Sequence, residues 1–285
     1  TSGLTLIDLK EDKTLELVNS SSKGNFTTRV IGEGNLSLSG NMGFGHNGND
    51  YSGDTSIVDQ SNVTLLHDNA FGKEGDLIVG KEVIVDLNGK MQTVDKLENS
   101  GLIVIGKSEQ DRGKLSVDTL DNAVDNNGGL VGQVNLRGGQ LTIRNENKAT
   151  SELTGLTGSG LLVLVDGTSK VTGLNNGLKA NVEIQENATV DLAKESGLGT
   201  GDVTVAGNLQ LTAKDQKVEN KLIGDGFLEV RENASLLANN LGFTGTIAVN
   251  DDATLNITNL NQLGKGEGQK AIELAGQLNL KGVNS

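Results

Sequence analysis

The chain has 285 residues, 40 of them glycine, with no proline, cysteine or tryptophan, and its 37 acidic and 24 basic side chains give a net charge of −13. The missing cysteines exclude disulfide scaffolds, thiol enzymes and zinc-finger or iron–sulfur sites. The acidic balance and the 2% aromatic content disfavour nucleic-acid binding, which needs clustered basic side chains and stacking rings. An apolar content of 35% is enough to bury a large core, so the composition favours a folded, glycine-rich all-β protein.

Apolar and polar residues alternate in short stretches along the whole chain, bounded by Gly, Asn and Asp. This period of two predicts strands with one buried face. The predicted strands are Leu4–Leu6, Leu36–Leu38, Leu141–Ile143, Val203–Val205, Leu209–Leu211, Ile247–Val249, Leu255–Ile257 and Leu278–Leu280. No helical stripe is sustained anywhere. The charged stretches Gly106–Lys114 and Thr212–Asn220 are predicted to be solvent-exposed loops.

The sequence repeats itself at intervals of about sixty residues. Gly34, Gly101, Gly160 and Gly226 each precede a similar apolar stretch, and they are 67, 59 and 66 residues apart. The matches predict repeat units that start near residues 30, 97, 156 and 222.

Strand–turn segments of this kind cannot bury an apolar face alone, but they form a continuous core when stacked. Parallel pairing between coils has no place for proline, which agrees with its absence from the sequence. We therefore predict a right-handed parallel β-helix over residues 1–285, a single domain of about 13 coils of roughly 21 residues each.

Several stretches resemble the repeats of type V autotransporter passenger domains, over about residues 31–280. They are Tyr51–Ile57, Gly158–Leu164, Thr189–Leu192, Leu198–Val205 and Phe243–Ile247. The resemblance implies a β-helix that is exported and displayed on the bacterial cell surface through a C-terminal outer-membrane barrel. Among passengers, the chain is similar to the adhesin and self-aggregation group. The chain has neither that barrel nor a signal peptide, so we expect it to be a passenger fragment. Its longest apolar run, Leu161–Val165, predicts no insertion into the membrane.

The sequence has no convincing catalytic constellation. Gly43–Gly48 matches a dinucleotide-binding pattern, but turn residues follow it where a helix should begin. A triad could recruit His67 and Asp68, yet neighbours on a strand point to opposite faces, and no nucleophile elbow is present. We expect no enzyme and no cofactor.

Two patterns of acidic residues are candidates for a catalytic site or a calcium site. The pairs Asp50/Asp54 and Glu183/Glu186 could serve a polysaccharide lyase or hydrolase, but one tyrosine furnishes few sugar platforms. The stretch Asp121–Gly128 is rich in oxygen ligands without the spacing of a known calcium loop. The favoured interpretation of both is a solvated surface without a metal.

We therefore predict an adhesin whose copies on neighbouring cells self-associate, promoting autoaggregation and biofilm formation. Stacked coils present rows of side chains, so weak contacts can sum. Lysines alternate with acidic residues in two segments that are the candidate contact sites: Lys107, Glu109, Asp111, Arg112, Lys214, Asp215 and Lys217. The alternative is an adhesin or secreted ligand that binds a host glycan, matrix protein or receptor, and a β-helical lyase or hydrolase is a minor alternative.

Overall fold

A computed structural model describes residues 5–58, 60–108, 110–123, 132–173, 175–265 and 272–282, and the side chains of residues 21–23 are not described. The described strands form a parallel β-solenoid of about 12 turns, which confirms the all-β prediction. Every ladder given between strands is parallel. The right-handed sense of the coil stays a prediction.

The strands are short and follow one another around the coil. They are β1 Leu6–Leu9, β2 Thr14–Phe26, β3 Arg29–Gly32, β4 Asn35–Phe44, β5 Asp50–Tyr51, β6 Thr55–Ile57, β7 Asn62–Leu65, β8 Leu77–Val79, β9 Ile84–Asp86, β10 Met91–Asn99, β11 Leu102–Val104, β12 Lys114–Asn122, β13 Gln133–Asn135, β14 Gln140–Ile143, β15 Thr150–Glu152, β16 Leu156–Thr157, β17 Leu161–Val171, β18 Asn181–Leu192, β19 Val203–Val205, β20 Asn208–Leu211, β21 Gln216–Val218, β22 Leu222–Ile223, β23 Phe227–Val230, β24 Ala234–Leu236, β25 Thr246–Val249, β26 Thr254–Ile257, β27 Ile272–Leu274 and β28 Gln277–Leu280. Helical structure in the described residues is limited to the 3₁₀ turns Glu146–Lys148 and Leu260–Leu263.

The predicted strands agree with these elements. Seven of the eight alternating stretches lie within strands, and in the eighth Leu6 begins β1 while Leu4 lies outside the described residues. The segment Gly106–Lys114 forms a loop up to the start of β12 at Lys114, as predicted. The other loop prediction is wrong in its centre, because Thr212–Asn220 contains strand β21.

The chain divides into two compact units. Unit 1 comprises Thr1–Ile143 and Gly155–Gly160, and unit 2 comprises Arg144–Thr154 and Leu161–Ser285. The prediction of a single domain stays a prediction.

The core of unit 1 consists of columns of apolar side chains in register on successive coils. One column runs through Val63, Val85, Ile103, Val134 and Leu156. Phe26, Phe44 and Phe71 form a second feature, with ring centroids 5.8 Å apart at both steps and nearly parallel planes. These three phenylalanine rings therefore pack on each other on successive coils.

Unit 2 has the same construction with a regular step. Val190, Leu209, Leu228 and Ile247 are in register, each 19 residues after the previous one, and all are buried. A second column runs through Ala234, Leu255 and Leu278. Along each strand, the residues that alternate with the buried ones point outward, so the polar half of the sequence alternation becomes the surface.

The four glycines of the sequence repeat stand directly before strands β4, β11, β17 and β23. A Cβ on any of them would lie 2.1–2.5 Å from a backbone carbonyl oxygen of the preceding coil. These positions therefore require glycine because the backbone of the adjacent coil occupies the space of a side chain.

Candidate functional site: exposed surfaces of the two units

The first predicted contact segment is an ordered loop of unit 1. Lys107 donates its backbone N–H to the Asp111 carbonyl at 3.0 Å, and the Ser108 hydroxyl accepts the N–H of Asp111 at 3.0 Å. The side chains of Lys107, Asp111 and Arg112 are exposed, whereas Glu109 lies outside the described residues. The loop thus presents its charges to solvent.

The second predicted segment belongs to unit 2 and lies partly on a strand. Gln216 and Val218 are buried, so the period of two places Lys217 outward on β21. Lys214 and Asp215 are exposed in the turn before it, where Asp215 has a φ of 54° and accepts a hydrogen bond from Asn233 at 3.3 Å. The sequence prediction missed this strand because Gln216 is a polar residue at a core position.

An exposed apolar cluster lies beside the second segment. Leu237, Leu241 and Leu260, named here the leucine edge, are 44%, 45% and 55% exposed. The Asn240 N–H donates to the Asn261 carbonyl at 2.9 Å, so the chain segments that carry Leu241 and Leu260 are adjacent.

Two hydrogen bonds fix the rest of this edge. The Gln262 side chain donates to the Leu237 carbonyl at 3.1 Å. The Leu237 N–H donates to the carbonyl of Val218, the residue after Lys217, at 3.0 Å. The leucine edge and the lysines of β21 and its turn therefore occupy neighbouring coils of unit 2.

The ion pairs of the described residues do not include the lysines of this region. Lys214 and Lys217 take part in none of the ion pairs formed among the described residues. Another charged group of unit 2, Glu229, is held in a hydrogen-bond network. Its carboxylate accepts from Arg231 at 2.9 Å, Gln210 at 3.1 Å and Asn250 at 3.3 Å.

These hydrogen bonds alter the ionisation of the network. The hydrogen bond from Arg231 lowers the pKa of Glu229, and burial opposes that shift only in part. The same bond raises the pKa of the Arg231 guanidinium. The ion pair of this network therefore lies on one coil, and neutral amides of the coils before and after it, Gln210 and Asn250, complete its hydrogen bonds.

A groove crosses four coils of unit 2 along one column of outward residues. Thr189, Asn208, Phe227 and Thr246 are in register and line it, and its volume is about 410 Å³. Its lining also includes Glu186, Asn187, Ala188, Ala206, Gly207, Asp225 and Gly226. Within this lining, Gly207 and Gly226 lie where the chain bends between strands.

Unit 1 carries a ladder of Asx side chains on its outward side. Asn35 Oδ1 accepts the N–H of Asp54 at 2.9 Å, and Asp54 Oδ1 accepts the N–H of Asp76 at 2.9 Å. Asp76 Oδ1 in turn accepts the N–H of Lys96 at 3.0 Å. Burial, and then the charges of Asp54 and Asp95, raise the pKa of Asp76 against this last hydrogen bond.

The two histidines do not line the groove of unit 2. His67 and Asp68 are both exposed, and Asp68 Oδ1 accepts the N–H of Met91 at 2.8 Å. His46 Nδ1 accepts the N–H of Gly48 at 3.0 Å within a turn. The segment Gly43–Gly48 is followed by strand β5, so no helix N-terminus faces it.

The structure shows where the acidic residues of the two candidate pairs lie. Glu183 is half-buried and Glu186 exposed on β18, whereas Asp54 belongs to the Asx ladder of unit 1. Among the described residues no group of three His, Cys, Asp or Glu side chains could hold a metal ion. Residues 124–128 of the calcium candidate lie outside the described part of the chain.

Sequence reasoning missed the leucine edge and Phe227. A signal for Phe227 was present, because Leu228 and Val230 take the buried phase of β23 and leave Phe227 on the outward phase. The leucine edge lies in turns, where alternation gives no phase.

Comparison with known proteins gives one distant similarity. The chain is 26% identical over 242 residues to an uncharacterised lipoprotein, YdeK, of Escherichia coli strain K12. The match covers 84% of this chain but 16% of that much longer protein. No family model and no solved structure matches the chain. In the described residues, neither 3₁₀ turn has the length or the apolar run that a membrane-spanning helix needs.

Proposed function

We propose that the chain is part of a bacterial cell-envelope protein whose β-solenoid is an adhesive surface, and that copies on neighbouring cells bind each other through it. The observation that carries this proposal is the leucine edge beside the exposed Lys214 and Lys217. Exposed apolar clusters on a polar surface are typical of protein–protein contacts. The proposed role is binding without catalysis, and it would promote aggregation and biofilm formation.

The exposed lysines, and not the net charge of the chain, support a second copy as the partner. A net charge of −13 makes two copies repel each other at most orientations. Lys214 and Lys217 are exposed and form no ion pair with the residues that the structure describes, so they can approach acidic side chains of another copy. The leucines can be buried in the same contact. The contact would therefore have an electrostatic part that weakens with salt and an apolar part that does not.

The location follows from two lines of support. The similar protein of E. coli is named a lipoprotein, a class held at membranes by attached lipid. The solenoid fold and the repeat motifs resemble autotransporter passengers, for which display on the cell surface through an outer-membrane barrel is expected. Digestion of intact cells with an added protease tests this display, because a surface protein is cleaved and an internal one is protected.

Sedimentation velocity of the purified chain over a wide concentration range, at low and at high salt, tests self-association. We expect a concentration-dependent dimer that weakens as salt is raised. The double variant Lys214→Glu/Lys217→Glu should weaken it further at low salt. Lys148→Glu/Lys179→Glu is the matched control, with the same charge change at two exposed lysines of unit 2 outside the proposed contact.

A separate variant tests the contribution of the leucine edge to self-association. Leu237→Ser/Leu260→Ser should abolish the part of the association that survives high salt, whereas Met91→Ser, at an exposed methionine of unit 1, should leave it intact. A wild-type chain that stays monomeric under every condition would overturn self-association, and a host glycan, matrix protein or receptor would then be the partner to test.

A further inference from the structure

The chain contains four Asn–Gly pairs, which are chemically labile. In such a pair the backbone nitrogen of the glycine can attack the side-chain carbonyl carbon of the asparagine, and glycine has no side chain to obstruct the approach. The nitrogen must lose its proton in this reaction, so a base placed at the N–H accelerates it. The pair at residues 127–128 lies outside the described part of the chain, and the other three are Asn47-Gly48, Asn88-Gly89 and Asn176-Gly177.

The first of these pairs forms the centre of a turn in unit 1 that holds a base. The Asn49 N–H donates to the His46 carbonyl at 3.2 Å, which closes the turn. The Gly48 N–H donates to Nδ1 of His46 at 3.0 Å, so this ring nitrogen presents its lone pair to the proton of that N–H. A carbonyl oxygen, the usual acceptor of a backbone N–H, is too weak a base to take the proton, whereas a neutral imidazole is a general base.

The side chain that would be attacked has room to reach the nitrogen. Asn47 is exposed, and its amide takes part in no hydrogen bond within the described residues. Its rotation therefore breaks no hydrogen bond, and water has access to it. The nitrogen is held in place, because Arg29 Nε donates to the Gly48 carbonyl at 2.7 Å. A positioned nucleophile beside its base favours intramolecular attack.

The pair Asn88-Gly89 has a different environment. The Gly89 N–H donates to the Ile105 carbonyl at 3.3 Å, which is not a base that can take its proton. The Asn88 side chain is half-buried and donates through Nδ2 to the Leu65 carbonyl at 3.4 Å. Both reacting groups of this pair are therefore engaged with backbone carbonyls.

The pair Asn176-Gly177 is the closest comparison, because it also lies in an exposed turn. The Leu178 N–H donates to the Asn175 carbonyl at 2.8 Å and closes this turn of unit 2. Asn175 takes the place that His46 has in the first turn. Its amide has no basic nitrogen and donates to backbone carbonyls of the coils before and after it. The two turns thus differ in the presence of a base.

We propose that Asn47 is a site of self-catalysed deamidation, in which His46 is the base, Gly48 supplies the attacking nitrogen and water is the second reactant. As the Gly48 nitrogen bonds to Cγ of Asn47, Nδ1 of His46 takes its proton, and the side-chain nitrogen leaves with that proton as ammonia. This step forms a cyclic imide. Water then cleaves one of the two bonds between the imide nitrogen and its carbonyl carbons, which leaves aspartate or isoaspartate at the position.

The reaction alters a connection between coils. Asn49, the last residue of the turn, is buried, and its Oδ1 accepts the Val30 N–H at 2.9 Å. Its Nδ2 donates to the Ala70 carbonyl at 2.8 Å. Both products add a negative charge to the turn, and isoaspartate also adds a methylene carbon to its main chain. The modification therefore acts next to a side chain that joins the coil before to the coil after.

Mass spectrometry of the purified chain, incubated in warm neutral buffer and then digested with trypsin, tests the proposal. Trypsin cleaves after Lys and Arg and so releases the three described pairs on separate peptides, 30–73, 82–90 and 171–179. Deamidation replaces an amide NH₂ by OH, which the peptide mass records, and fragmentation assigns the residue. We expect Asn47 to react about tenfold faster than Asn176, a smaller factor than the roughly 100-fold that a positioned base contributes in an enzyme.

Two variants separate the base from the turn. His46→Ser keeps an oxygen that can accept the Gly48 N–H but removes the base, so the rate at Asn47 should fall about tenfold, to that of Asn176. His67→Ser replaces the other histidine of the chain, which is exposed, and should leave the rate at Asn47 unchanged. The thermal midpoint of each variant shows whether it is folded. In urea, where the turns are lost, the rates of the wild-type chain at Asn47 and Asn176 should converge.

Equal rates at Asn47 and Asn176 in the folded chain, an unchanged rate in His46→Ser, or equal slowing by His67→Ser would each overturn the proposal. A rate difference that persists in urea would also overturn it, because the neighbouring sequence and not the folded turn would then be the cause. The turn shares no residue with the leucine edge or with the lysines of the proposed contact, so the result is independent of self-association.

Discussion

Asp54 Oδ1 accepts a hydrogen bond from the backbone N–H of Asp76, 22 residues later, at 2.9 Å. The two aspartates occupy successive rungs of the Asx ladder, in which the rung before them is Asn35. The side chain of asparagine and that of aspartate both provide the acceptor oxygen that a rung needs, but only aspartate adds a negative charge. The ladder therefore combines a favourable set of hydrogen bonds with repulsion between stacked carboxylates.

Replacing Asp76 with Asn should stabilise the protein at neutral pH. Burial, followed by the charges of Asp54 and Asp95, raises the pKa of Asp76, so its charged form costs free energy in the folded state. Asn keeps the oxygen that accepts from Lys96 and removes the charge. We expect a gain of about 0.2–1 kcal/mol, measured by urea unfolding at pH 7.

The gain in stability from Asp76→Asn should depend on pH, in a direction set by the raised pKa of Asp76. Because the folded pKa is raised, the wild-type protein takes up a proton and loses its penalty as the pH falls through that value. The difference between Asp76→Asn and wild type should therefore shrink at acid pH. Asp251→Asn, at an exposed turn, is the control, and a difference that grows on acidification would contradict the explanation.

The network around Glu229 should show the opposite pH dependence. The hydrogen bond from Arg231 lowers the pKa of Glu229, so the stabilisation is complete above the unfolded pKa and is lost as the pH falls through the folded value. Arg231→Met should cost about 0.2–1 kcal/mol at pH 7 and less in acid, because the pair is partly exposed. A double-mutant cycle with Glu229→Gln measures the coupling, and additive effects of the two substitutions would contradict it.

The fold was largely predictable because each coil needs the same alternation of buried apolar and outward polar residues. Alternating stretches such as Leu209–Leu211 and Leu255–Ile257 carry the period of two, and both are strands. The prediction failed around Gln216, where a polar side chain occupies the core phase of β21. Composition makes that stretch look solvated, and only the register with Ala234 on the next coil reveals the strand.

The candidate surfaces were less predictable, for a different reason. Sequence alternation says which side chains point outward, but not which outward side chains meet on successive coils. Composition predicts Lys217 as a charged residue of a loop, whereas the register places it opposite Ser235, two residues before Leu237, on the next coil. Phe227 becomes notable only when the register places it between Asn208 and Thr246.

Gly245 should be intolerant of a side chain even though its backbone conformation is ordinary. A Cβ there would lie 2.1 Å from the Gly226 carbonyl oxygen and 2.5 Å from the ring of Phe243. Gly245→Ala should therefore destabilise the protein by about 1–3 kcal/mol, since the stacked backbone must move apart. Gly242→Ala is the matched control three residues earlier, because the nearest atom to its Cβ would be 3.4 Å away. Thermal unfolding compares the two, and equal midpoints would contradict the close approach.

Asn240 should contribute more to stability than an exposed asparagine of the same turn. Its side chain is buried, accepts the N–H of Leu222 at 2.9 Å and donates to the Gln262 carbonyl at 2.8 Å. It thereby satisfies backbone groups of the coil before and the coil after. Asn240→Ala leaves both without a partner and should cost about 1–3 kcal/mol for each buried group left unpaired.

Asn239→Ala is the control for this prediction. Asn239 is exposed, and its side chain accepts the N–H of Leu241 at 3.2 Å. Water can replace that bond, so the loss should be well below that of Asn240→Ala. Urea unfolding of both variants at pH 7 decides between them. Similar losses would mean that the buried amide does not tie neighbouring coils together. A larger loss for Asn240→Ala would identify such amides as the polar counterpart of the apolar columns, because each rung depends on the coils on both sides of it.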